Sequence, residues 1–163
     1  MAPNNFLIKD GKAESAADYE NLPTLEAFLA SNTEDRLHLS NDADLTQIEL
    51  RLSSIKTITV DFPSFADGRG FSIARELRKK YGYEGLLIAT GPLIPDQYAF
   101  ALQCGFDAVK VDEDTYSRQS ESEWLDAMAA FRITYQRGYA APSGPKVNVF
   151  NARSTSAHTD SAG

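Results

Sequence analysis

The sequence predicts an α/β domain. Its expected frame is a four- or five-stranded, mainly parallel sheet with helices on both faces, a short N-terminal hairpin before it and a flexible C-terminal tail after it. Three observations predict this. From residue 37 onward, short apolar runs alternate with helical patterns of about ten residues or more, the rhythm of repeated βα units. LLIATG, at 86–91, is an apolar run bounded by glycines, as buried parallel strands are. The chain of 163 residues is 42% hydrophobic and 24% charged, which suits one domain with an ordinary core.

Each element has its own signal. FLIKDGKA reads as a strand, a turn at Asp10-Gly11 and a second strand. Residues 13–21 are polar and read as loop. Leu25, Phe28 and Leu29 follow at helical spacing, with Thr24 as N-cap. LHLS, at 37–40, is a strand. Asp42 or Asp44 then caps a helix whose face is Leu45, Ile48 and Leu52. TITVDF, at 57–62, is a strand stopped by Pro63. Ile73, Ala74, Leu77 and Tyr81 form the next helical stripe. Pro95 and Asp96 suit the first turn of a helix that Gly105 closes, with Phe106 as the accompanying apolar contact. AVKVD, at 108–112, is another strand. Ser120 and Glu123 form a capping box for a last helix, striped by Trp124, Met128, Phe131 and Tyr135 and ended by Gly138.

Residues 1–140 are expected to form the single domain. Residues 141–163, rich in Pro, Ser, Gly, Ala, Asn and Thr, are expected to be a flexible tail, in which Val147–Phe150 alternates weakly enough to suggest an edge strand. The winding is expected to be flavodoxin-like or a related βα-repeat. A half-barrel of the same units is the alternative, because local patterns do not distinguish closure from open winding.

The formal net charge of -7 and pI of about 4.8 argue against nucleic acid, since an acidic surface repels phosphates. No stretch approaches the roughly 20 apolar residues of a membrane helix, and the N-terminus lacks a signal-peptide pattern. A single cysteine excludes an internal disulfide and a Cys-rich metal site, so the expected address is cytoplasmic. Neither a haem CxxCH, an iron–sulfur cysteine set nor a complete dinucleotide loop is present, and no cofactor is expected.

Ligands in parallel sheets sit beyond the carboxyl ends of the strands, occupied here by Asn41 and Asp42, Asp61, Thr90 and Gly91, and Asp112. The loop Asp67, Gly68, Arg69, Gly70 overhangs the same edge. If both glycines took positive φ, their N–H groups could cradle an oxyanion such as sulfite, sulfate or phosphate, with Arg69 as a bidentate donor. The competing reading is a strand-to-helix turn in which Arg69 pairs with Asp61 or Asp67; turn chemistry alone accounts for both glycines. Asp61, Asp112 and Asp42 could hold Mg²⁺, but helix capping explains them as well, and no metal is expected. Cys104, at a helix C-terminus, reads as a buried structural thiol. His38 and His158 have no neighbours that suggest a triad or a zinc site.

ITVDFP, LLIATG and CGFDAVKVD resemble the strands of response-regulator receiver domains. The acidic pair of a first strand is not evident, and Lys110 lies too close to Gly105. The likeness therefore implies a related fold without phosphotransfer.

FPSFADGRGFSIARELRKKYGYEG, followed by DQYAFALQCGFDAVKVDE, resembles the bacterial DUF934 family, over roughly residues 36 to 137 with the N-terminal LIKDG. The residues that match are Asp67, Gly68, Arg69, Gly70, Gln97, Cys104, Gly105, Phe106 and Asp107. The resemblance adds Gln97 to the strand-end cleft of Asp61, Thr90 and Asp112. It implies a role in sulfur assimilation, since the family's members are described as oxidoreductases of sulfite reduction and sit beside assimilatory sulfite reductase. The expected function is an accessory or oxidoreductase-linked factor with that enzyme as partner. The alternative is a small non-catalytic protein-binding module of receiver-like fold.

Overall fold

The computed structural model describes residues 5–64 and 67–138. The tail and its Val147–Phe150 strand lie outside the described residues. The elements, in chain order, are β1 (Asn5–Lys9), β2 (Lys12–Ser15), α1 (Leu25–Ala30), β3 (Arg36–Leu39), β4 (Thr57–Asp61), α2 (Arg69–Arg75), β5 (Leu86–Thr90), α3 (Pro95–Cys104), β6 (Ala108–Asp112), α4 (Glu113–Ser117) and α5 (Glu121–Gly138). The segment expected as a helix from Leu45 folds instead as two 3₁₀ turns, Leu45–Gln47 and Glu49–Ser54, although Leu45, Ile48 and Leu52 are buried as expected.

The expected caps form. Thr24 accepts from the Ala27 amide at 3.3 Å, and Asp44 rather than Asp42 accepts from the Thr46 amide at 3.1 Å. Gly105 takes φ 116° to close α3. The Ser120 amide and the Glu123 carboxylate close their capping box at 3.0 Å.

Among the described residues the sheet has six strands in the order β2-β1-β6-β5-β4-β3. β3, β4, β5 and β6 are parallel, while β1 pairs antiparallel with both β6 and β2. The sheet is therefore mixed and six-stranded, not four- or five-stranded and mainly parallel. The hairpin is present, but its first strand joins the sheet beside β6. The parallel strands also follow chain order, unlike the 2-1-3-4-5 order of a flavodoxin-like sheet. Connections of one hand between neighbours in chain order put their helices on one face.

The core bears this out and corrects the expectation of helices on both faces. Leu37, Leu39, Ile58, Val60, Leu87, Ala89, Val109 and Val111 share one cluster with Phe28, Leu77, Tyr98, Leu102 and Trp124 of the helices. The alternate strand residues point the other way. There, among the described residues, Leu7, Ile88 and Ala108 cluster with Ala16, Tyr19 and Leu86.

Candidate functional site

The DGRG loop follows β4 at the carboxyl edge of the sheet, and its charges satisfy one another. Arg69 grips Asp67 as a fork: Nη2 donates to Oδ2 at 2.9 Å and Nε to Oδ1 at 3.2 Å. The Arg69 amide also donates to Oδ1, at 3.2 Å. Asn41, buried just past β3, donates to Oδ2 at 2.7 Å. One carboxylate thus ties the loop to itself and to the neighbouring strand end. Hydrogen bonds from Arg69 come first in holding the Asp67 carboxyl at about 2, well below the usual carboxylate range. Of the two partners considered for Arg69, the structure places Asp67 on the guanidinium.

Gly68 and Gly70 do not take the positive φ that an oxyanion cradle would need, which leaves the strand-to-helix turn. Gly68 has φ -92°, and Gly70 lies within α2. Gly70 is needed for space: a Cβ there would lie 2.5 Å from the Phe62 ring. Gly91, at φ 144°, is where positive φ is needed; it passes against the Phe62 backbone, and a Cβ would collide with the Phe62 carbonyl oxygen. Phe62 is thus wedged between two loops of the carboxyl edge.

Asp61 and Thr90 are direct neighbours in register, and Thr90 pairs in turn with Lys110. All three lie on the face that, among the described residues, the α-helices leave open, one row beyond His38 and Thr59. His38 Nδ1 and Thr59 Oγ1 share a hydrogen bond of 2.7 Å. Burial lowers the His38 pKa, partly offset by Asp61 and reinforced by Lys110.

Residues 16–24 cross this face as a strap. The Ala16 amide donates to the Asn5 carbonyl of β1, and the His38 amide of β3 donates to the Pro23 carbonyl. Between them, Lys110 Nζ donates to the Tyr19 carbonyl at 3.0 Å, Asn5 donates to Glu20, and Arg36 Nη1 donates to the Asp18 carbonyl at 3.0 Å. Four strand spacings measure about 19 Å, and eight extended residues span about 26 Å, so the strap has enough reach.

The remaining candidates fall elsewhere. Gln97 accepts from the Ile94 amide at 3.2 Å and donates its own backbone amide to the Ile94 carbonyl at 2.9 Å, so it closes the first turn of α3. Asp112 caps α4 through the Thr115 amide at 2.7 Å, a bond that lowers its pKa, and lines a separate surface depression with Glu113, Asp114 and Ser117. Asp42 accepts from Ser40. Cys104 is fully buried in the core. Among the described residues, no three His, Cys, Asp or Glu side chains are grouped to hold a metal, and no helix is long and apolar enough to cross a membrane.

Asn41 was expected at this edge, but His38, Thr59 and Lys110 were not singled out from sequence as site residues. The signal was present in the alternation of LHL, TITVD and AVKVD, whose polar residues recur at every second position. Read as strands covered on both faces, that alternation carries no information. With helices on one face only, it marks a polar row.

Compared with known proteins, residues 36–145 match the model of a family described as "Bacterial protein of unknown function (DUF934)". The match begins at β3, so the hairpin and the strap precede it. No curated protein and no solved structure matches the chain.

Proposed function

The chain belongs to the DUF934 family of bacterial proteins, and for it we propose an accessory role in cytoplasmic sulfite reduction, exercised by binding assimilatory sulfite reductase. The tie to that pathway comes from the sequence resemblance. The observation that carries the binding reading is the Asp67–Arg69 pair. An oxyanion would compete for the guanidinium with a carboxylate that already holds one of its two bidentate edges, Nε and Nη2. The pair instead produces a preorganised loop with an exposed arginine, and preorganisation lowers the ordering cost of binding a protein. The buried Cys104 is poorly placed for thiol chemistry on an external substrate.

Affinity purification of the tagged full-length chain from sulfate-grown cells tests the reading. Assimilatory sulfite reductase should be retained by the wild type. Its absence from the retained material, with the chain itself soluble and folded, counts against the proposal. Millimolar sulfite, sulfate or phosphate should leave the melting temperature unchanged at matched ionic strength. A rise that Arg69→Ala abolishes would restore the oxyanion reading.

A further inference from the structure

The segment from Arg69 to Lys80 holds five of the chain's 16 Lys and Arg residues and one of its 23 Asp and Glu residues. It comprises α2 and the wider π turn, Glu76–Lys80, that continues it. One of the five cations, Arg78, is buried; Arg69, Arg75, Lys79 and Lys80 are exposed. An exposed cationic strip therefore stands on a chain whose net charge is -7.

An aromatic ladder reaches the surface beside this strip. Phe106 meets Phe62 with ring centroids 5.8 Å apart, Phe62 meets Phe71 at 4.8 Å, and Phe71 meets Phe100 of α3 at 4.7 Å. Phe100 remains 39% exposed, and the Arg75 guanidinium lies 5.2 Å from its ring centroid. The inner rings hold Phe100 in place, so little side-chain freedom remains to be lost on binding. A fixed aromatic beside arginine is the composition that concentrates binding energy at protein interfaces.

We infer that the α2–α3 face, from Arg69 past Phe100 to Lys79, docks an acidic protein surface bearing an apolar residue that packs on Phe100. The inference rests on the partner-binding reading above and extends it to a defined surface. Charge complementarity selects the partner: Arg75, Lys79 and Lys80, beside the Asp67-paired Arg69, attract a carboxylate-rich patch, while the chain's acidic remainder repels a polyanion such as nucleic acid. The strip contributes attraction and orientation, weakened by salt, and Phe100 contributes the desolvated centre.

Photo-crosslinking in sulfate-grown cells tests this. The full chain carries benzoylphenylalanine in place of Phe100, or in place of the exposed Ala130 of α5 as a control. The expected result is an adduct from position 100 whose crosslinked partner segment is acidic. Arg75→Glu combined with Lys79→Glu should reduce it about tenfold, the effect of about 1.4 kcal/mol. Arg75→Gln with Lys79→Gln, which introduces no repulsion, should reduce it less, and it serves if the charge reversal lowers the melting temperature. No adduct from position 100, a basic or nucleic-acid partner, or an adduct indifferent to both double variants overturns the docking surface. An acidic partner that is not sulfite reductase keeps the surface and ends the sulfite-reductase reading.

Discussion

Arg78 and Asp107 meet at 2.8 Å across 29 residues of sequence, with the arginine side chain only 1% exposed. The same guanidinium donates to the carbonyls of Gly105, Tyr83 and Gly85. The same Asp107 oxygen accepts from the Leu87 amide in the first half of β5. One side chain thus ties the end of α2, the 81–85 turn and the turn after α3 together at the amino edge of the sheet. Arg78→Ala should cost about 3–5 kcal/mol, because it leaves a half-buried carboxylate and three carbonyls without the guanidinium that bonds them all. Urea unfolding followed by the fluorescence of buried Trp124 measures this. A loss below about 1 kcal/mol would show that the clamp is replaceable by water.

Gly70→Ala should destabilise the fold by about 1–3 kcal/mol through overpacking against Phe62, not through backbone strain. Phe62→Leu should cost stability on its own yet recover part of the Gly70→Ala loss in the double variant. Additive losses in a thermal double-mutant cycle would refute the steric cause.

Asp67 should titrate near 2 in the folded protein, and in Arg69→Ala its midpoint should move back toward the ordinary carboxylate value, since Arg69 is the main cause of the shift. The sign follows from linkage. A folded-state pKa below the unfolded one stabilises at pH above the unfolded value of about 3.9, and that contribution fades as pH falls toward about 2. Carbon-detected NMR of the Asp67 carboxyl reads the midpoint directly. An unchanged midpoint in Arg69→Ala would assign the shift to the residue-69 amide and Asn41 instead of the guanidinium.

Cys104→Ala should cost about 1–2 kcal/mol from lost packing and leave growth on sulfate as sole sulfur source intact. The native thiol should resist a thiol reagent until the chain unfolds. Loss of that growth at normal protein levels would place Cys104 in the chemistry.

Local pattern was enough for the elements that local physics determines. Thr24, Gly105 and the Ser120/Glu123 box each act within one helical turn, and β4, β5 and β6 lie where their apolar runs predict. What escaped is non-local. Nothing in FLIKDGKA says that β1 will pair antiparallel with β6, about a hundred residues away, and that pairing decides the sheet order. The polar 13–21 stretch reads as loop; nothing in it says that 13–15 will complete β2 or that the chain from residue 16 will cross the sheet face opposite the core. The DGRG loop was legible as a turn with an Asp–Arg pair. Why its glycines are needed was not legible, because the sequence shows the absence of a side chain but not whether φ or the ring of Phe62 requires it.

The most direct test of the partner-contact account is calorimetric titration of assimilatory sulfite reductase with the wild-type chain and with Arg69→Ala, alongside their melting temperatures. Arg69 is exposed, and its main bonds are to Asp67, so the variant should melt within a few degrees of the wild type. The account predicts that binding weakens at least tenfold on Arg69→Ala while the fold is kept. Equal affinity for both proteins, or no binding by the wild type, would contradict it.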